Sequence, residues 1–136
     1  MRICLVSNEF APFFGSGVGV YAAEAARAWA AAGHQVHVVT GDHAGVAEVG
    51  GRVCSGVVFH KVDLQDGLAA NLPEPKGAVQ WPLGAFERVA WLHGRGGFDY
   101  IEFADLHGEG YFAVQWRRLE GGLSGAVIGV RLHMPC

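Results

Sequence analysis

Apolar residues along this chain fall into short unbroken runs, separated by stretches in which they recur every three or four positions. Ile3-Cys4-Leu5-Val6 is the first run, and Val36-His37-Val38-Val39 is a second, β-branched and apolar as a parallel strand covered on both faces would be. Between them Val18, Tyr21, Ala22, Ala25, Trp29 and Ala32 follow the helical period, with Glu24 and Arg27 on the opposite side. Ser16 stands where a helix cap belongs and Gly33 where a left-handed stop belongs. Gly41-Asp42-His43 ends the second run. Residues 44 to 80 are less regular: Val57-Val58-Phe59 reads as a third strand, and Leu72-Pro73-Glu74-Pro75-Lys76-Gly77 as a loop that proline keeps out of helix. A second helix is predicted from near Pro82, with Leu83, Phe86, Ala90 and His93 on one side and Gly94, Gly96 and Gly97 stopping it. Phe98 to Phe103 is predicted as a fourth strand, Tyr111 to Glu120 as a third helix and Ala126 to Leu132 as a fifth strand.

Strands alternating with helices predict an α/β fold: a doubly wound, mainly parallel Rossmann-like sheet with helices on both faces. Right-handed crossovers leave 3-2-1-4-5 as the expected strand order. The chain then reverses direction across the sheet between strands one and four, and ligands of such sheets bind outside the carboxyl ends of the strands at that point. The loop Asn8 to Gly17 and the segment Glu102 to Gly110 are expected to face each other there, with His133 joining from the next strand.

A length of 136 residues suits one domain, and 51% hydrophobic against 17% charged residues excludes a disordered chain. The formal charge of −3 leaves no basic footprint for nucleic acid. Cys4, Cys54 and Cys136 have no metal-ligand spacing and fit reduced thiols, so no metal is expected. Met1-Arg2 precedes too short an apolar run for a signal peptide, no run approaches membrane-spanning length, and the expected compartment is the cytoplasm.

The candidate chemistry gathers at the expected crevice. Gly15, Ser16, Gly17 and Gly19 would present amides at a helix start, where the dipole favours an anion. Gly15-x-Gly17 and Asp42 imitate a dinucleotide fingerprint, but Val20 takes the place of the third glycine and the loop from Ser7 is too long for its turn. Glu102 and Asp105 are either solvated acids at a strand end or acceptors for sugar hydroxyls, with general-base work open to either. Glu109 reads as a favourable acid in a helix's first turn. His133 follows a strand on the cleft side, whereas His34, His37, His60, His93 and His107 have no matched partners. Trp29, Trp81, Trp91 and Trp116 read as core.

Phe10-Ala11-Pro12, Ser16-Gly17-Val18-Gly19-Val20-Tyr21, Glu24 to Ala28, Gly33 to Val38, Asp99 to Gly110 and Arg131-Leu132-His133 together resemble the N-terminal, acceptor-side domain of GT-B-type retaining glycosyltransferases of the glycogen-synthase-like group. The resemblance spans nearly the whole chain, least clearly in residues 44 to 80, and rests on the order and spacing of the segments. It implies transfer of a sugar from a nucleotide-sugar, as co-substrate, to an acceptor hydroxyl with retention and without a structural metal. It also implies that Gly15, Ser16 and Gly17 lie near the donor phosphates or the transferred sugar, and that His133 contacts the sugar. The family often has paired glycines where this chain has Ser16-Gly17. Its C-terminal donor-binding domain has no counterpart within 136 residues, which alone are expected to transfer no sugar. A non-catalytic sugar- or phosphate-binding or regulatory module is the alternative, and an NAD(P)-binding domain a weaker one. An open strand edge near residue 132 is expected to favour self-association.

Overall fold

The computed structural model describes residues 1–43 and 45–133, with backbone alone for 47–50. Strand β1 (Arg2–Val6) lies at the centre of a five-stranded parallel sheet, with β2 (Gln35–Thr40), β3 (Val57–Lys61), β4 (Tyr100–Ala104) and β5 (Val127–Arg131) in the order β3-β2-β1-β4-β5. The expected fold class and strand order are those observed. The helices are α1 (Gly17–Ala31), α2 (Val46–Val53), the single turn α3 (Gly67–Ala70), α4 (Gln80–Gly96) and α5 (Tyr111–Glu120), with a 3-10 turn at Gly77–Val79. Successive strand residues point to opposite faces. Leu5, Val36, Val38 and Val57 therefore meet Ala22, Ala23 and Ala26 of α1. Cys4, Val6, Val39, Ile101 and Phe103 meet Ala85, Val89 and Leu92 of α4 and Ala113 of α5.

The helices differ from expectation in rotation more than in place. Helix α1 turns Val18, Ala22, Ala23 and Ala26 inward, while Ala25 and Trp29 are half-buried and Ala32 is exposed. In an alanine-rich helix the small side chains mark no face, so the larger residues misplace it. Gly33 does stop the helix, at φ 87°. Helix α4 begins at Gln80, and Pro82 lies in its first turn, where no amide donor is needed. Its inner face is Trp81, Ala85, Val89 and Leu92, with Leu83, Phe86, Ala90 and His93 at the margin. Gly94 and Gly96 remain helical, and Gly97, at φ 67°, makes the stop.

Helix α2 occupies part of the stretch read as irregular. Gly50-Gly51 weakens its helical signal, and packing on β3 supplies what propensity lacks. Trp91 is not core: it stands half-exposed with the guanidinium of Arg95 3.9 Å from its ring. Cys4 and Cys54 are buried free thiols, and Cys136 lies outside the described residues. Strand β5 is one edge of the sheet, with Val127 and Val130 exposed and Leu132 exposed just beyond it.

His37 and His60, expected to lack partners, partner each other. They sit diagonally across β2 and β3 with Nδ1 of His37 2.8 Å from Nε2 of His60. Burial lowers both; for His60, with the His37 ring and the Arg88 and Arg2 charges adding, the fall is to about 4. A histidine lowered by folding stabilises the fold fully above its ordinary value of 6.5 and loses that contribution as pH falls toward the folded value. The denaturation midpoint is thus expected to fall between pH 6.5 and about 4, less steeply in His60→Phe; an unchanged profile in the variant contradicts the assignment.

Candidate functional site

The loop after β1 is a compact fold-back. Phe10 and Phe14 pair in an isolated antiparallel bridge, and the buried Phe10 ring meets Phe59 edge-on at 5.0 Å. This places Glu9 under the start of α1, where its Oε2 accepts from the Ser16 amide and from the Ser16 hydroxyl, each at 2.8 Å. Gly15 turns tightly around that carboxylate at φ 132°, and a Cβ there would stand 2.8 Å from both Cβ and Oε2 of Glu9. Ser16 occupies the cap position, but its hydroxyl faces back to Glu9 and makes no cap bond to the helix. The Ser16 amide, aided by its hydroxyl, holds the Glu9 carboxyl below the usual carboxylate range. The Ser16 donors expected to cradle a phosphate thus serve an internal carboxylate, whose charge opposes a second anion. Gly17 has open space around its Cα.

One turn beyond Gly17, Tyr21 faces the carboxyl ends of β4 and β5. Its hydroxyl donates to Oε1 of Glu102 at 2.6 Å, while Tyr100 donates to Oε2 at 2.7 Å and the Arg131 guanidinium approaches the same oxygen at 3.4 Å. Tyr100 and Glu102, two apart on β4, share a face, and Gly129 of β5 leaves room for the phenol: a Cβ there would lie 2.5 Å from Oη of Tyr100. Burial first, and then the bond to Glu102, push both tyrosines up to about 12. Glu102 is 1% exposed. It is therefore not a solvated strand-end acid, and with its oxygens taken by three donors it holds Tyr21 and Arg131 in place. Asp105 accepts the His133 amide at 3.1 Å, and the His133 ring stands 5.0 Å from that of Tyr21. Glu102, Asp105 and His133 are thus brought together around Tyr21. The side chain of Arg131 is 51% exposed beside them.

Glu109 lies before α5, not in its first turn, and is buried. Its Oε2 accepts from the His107 amide at 2.9 Å and its Oε1 from the Asn8 amide at 3.4 Å, joining the loops after β4 and β1. The Asn8 carbonyl is met by Nε2 of His43 at 2.5 Å and by the Thr40 hydroxyl at 3.3 Å, which adds the end of β2. Beside this junction opens a cleft of about 730 Å³, walled by Asn8, Trp81, Pro82, His107, Tyr111 and Phe112 among others. Gly15, Ser16, Gly17, Glu102, Asp105 and His133 are all outside its lining, although Asp105 lines an adjoining hollow of about 260 Å³ that shares Gly108 and Tyr111 with the cleft.

Sequence reasoning missed Glu9, Tyr21, Tyr100 and Trp81 as parts of this region. The period of two that pairs Tyr100 with Glu102 was a usable signal, whereas nothing local links Glu9 to Ser16. Among the described residues no three His, Cys, Asp or Glu gather as metal ligands, and no helix is long and apolar enough to cross a membrane.

Sheet order and crevice together define a Rossmann-like α/β domain with its loops joined at the switch point. No family model matches the chain, and no curated protein matches it. The solved C-terminal domain of a hydrogenase from Pyrococcus furiosus is similar in fold, with a TM-score of 0.52 at 13% identity over 98% of this chain and 92% of that one. At such identity the likeness concerns the fold alone.

Two contrasts test this geometry by chemical denaturation. Gly15→Ala is expected to cost about 1–3 kcal/mol or more from its positive φ and the contact with Glu9, whereas Gly17→Ala stays within about 1 kcal/mol of the parent. Glu102→Gln is expected to cost about 1–3 kcal/mol, and its effect should shrink in a Tyr21→Phe background; additive losses would mean that the two side chains are not coupled.

Proposed function

We propose that this chain is the acceptor-side, N-terminal part of a retaining glycosyltransferase that uses a nucleotide-sugar and an acceptor hydroxyl. The observation that carries the reading is the gathering of Glu102, Arg131, Asp105 and His133 around Tyr21 in the second turn of α1, beside the carboxyl ends of β4 and β5. Three of these were singled out from sequence segments whose order resembles that group. In this reading Arg131 and His133 hold sugar hydroxyls, with Glu102 and Asp105 orienting them from behind. Glu9 at the start of α1 disfavours a pyrophosphate there and supports neutral hydroxyl recognition over the dinucleotide alternative. The grip on the donor phosphates then belongs to a partner domain of the kind the resemblance implies. The exposed edge of β5 suits self-association, which light scattering at high concentration would detect.

The reading is tested by titrating a panel of methyl glycosides into the 136-residue chain and following backbone amide resonances. Saturable shifts at Tyr21, Asp105 and His133 are expected, lost in His133→Ala, with no turnover of UDP-glucose by the chain alone. Shifts confined to other regions, or transfer by the isolated chain, would contradict it.

A further inference from the structure

The contact between His37 and His60 joins β2 to β3 on the α4 side of the sheet, with the two rings near-parallel and Nδ1 of His37 2.8 Å from Nε2 of His60. Such a contact holds one proton: one nitrogen donates and the other accepts. A second proton would set two cationic N–H groups against each other. The charges that act on the rings besides their own are those of Arg2 from β1 and Arg88 from α4, with no carboxylate among them. Cys4 stands opposite His37 on β1 as a thiol that burial keeps protonated. The remaining charged and titratable groups of the packed elements are engaged elsewhere. Asp99 accepts the Arg2 amide, Glu87 the amides of Leu68 and Ala69, and Asp42 pairs with Lys61. His93 meets the Phe98 amide and the Ser124 carbonyl, and Arg95 lies on the ring of Trp91.

A second observation is independent of charge. Strand β3 is an edge strand that pairs with β2 alone, and Val57 is its one buried residue. Its second half is fastened by Phe59 on Phe10, by His60 on His37 and by the exposed ion pair of Lys61 with Asp42. Exposed ion pairs contribute little, so the aromatic contact and the histidine contact carry the strand's hold. Phe59 meets Phe10 at 5.0 Å and Phe13 at 6.4 Å, both in the fold-back loop that places Glu9 beneath Ser16. A strand held so lightly is the kind of element that opens before the whole domain does.

We infer that the His37–His60 contact is an acid-sensitive latch: a proton on the second ring releases β3 from β2, takes Phe59 off Phe10 and loosens the Glu9–Ser16 loop at the head of α1, while β1, β4 and β5 stay paired. The sign follows from where the proton binds more readily. In the opened state His60 returns to its ordinary value of 6.5, whereas in the latched state it lies at about 4. The opened state therefore takes up the proton first, and its population rises about twentyfold between pH 7 and pH 5 from His60 alone. Glu9, held below the usual carboxylate range, keeps its charge across this interval, so a change at Ser16 there does not report titration of its own partner. The latch does not depend on what the site binds, so the methyl glycoside titration and this inference can fail separately.

The test is amide hydrogen exchange of the full 136-residue chain by NMR at pH 7 and pH 5, each rate divided by the intrinsic rate at that pH. The amides of β3 bonded to β2 and the Ser16 amide are expected to exchange through one partial opening, less protected than β4 and insensitive to low concentrations of urea. Their protection should fall about twentyfold from pH 7 to pH 5. His60→Gln, neutral at both pH values, should remove most of that fall at β3 and at Ser16 alike, and His37→Gln, which leaves His60 without a facing ring, should reduce it. An undiminished fall in His60→Gln, exchange of β3 only together with β4, or protection at Ser16 that stays constant while that of β3 falls would overturn the inference.

Discussion

Three carboxylates at one edge of the sheet are taken out of water, and the surrounding loops are arranged to meet them. Glu9, Glu102 and Glu109 are all buried. A carboxylate removed from solvent is tolerated where donors replace the water it lost. Glu9 draws the amide and hydroxyl of Ser16, which wraps the glycine loop around it. Glu102 draws two tyrosine hydroxyls and a guanidinium, which ties α1 to β4 and β5. Glu109 draws two loop amides, which closes the gap between the ends of β1 and β4. The carboxyl edge of the sheet is therefore built from satisfied charges, and its geometry follows from where the donors must stand.

That construction shapes what the edge can recognise. A helix start already holding a carboxylate is a poor place for phosphate, although its sequence reads as an anion cradle. At the cluster the Arg131 guanidinium is half-exposed and the Asp105 carboxyl partly so, against a net charge of −3 for the chain. On the other side of the Asn8–Glu109 junction the surface turns to carbon and aromatic rings. The polar cluster around Tyr21 and the apolar cleft thus sit as neighbours, separated by the loops that Glu9 and Glu109 hold. This division arises because α1 covers one face of the sheet and α4 and α5 the other, so the two sides of the switch point inherit different helix starts.

Much of the fold was legible from the chain alone. The five apolar runs became five strands in the expected order, and Tyr111 to Glu120 became a helix with the bounds its pattern implied. Helix α2 was not legible, because Gly50-Gly51 lowers its intrinsic preference and its stability comes from β3. The inner face of α1 was misread, since alanines fit any side of a helix and the packing against Leu5 and Val38 selected one. His37 and His60 carried no joint signal, as their contact depends on the register of two strands far apart in the chain.

For the candidate site, the sequence by itself determined which segments meet: parallel crossovers bring the ends of β1, β4 and β5 to one edge, and Asp105 and His133 follow because each lies just past such an end, whereas Glu102 sits in the middle of β4. What the tertiary structure decided was the state of each group. Whether a glutamate is an open acid or a sealed anchor depends largely on donors supplied from elsewhere: Tyr21 reaches Glu102 from α1 and Arg131 from β5, beside Tyr100 of its own strand. Ser16 became the partner of Glu9 instead of a free cap because the loop between them folds back on itself. Position along a strand is set by local pattern, whereas desolvation and hydrogen bonding are set by neighbours distant in the chain.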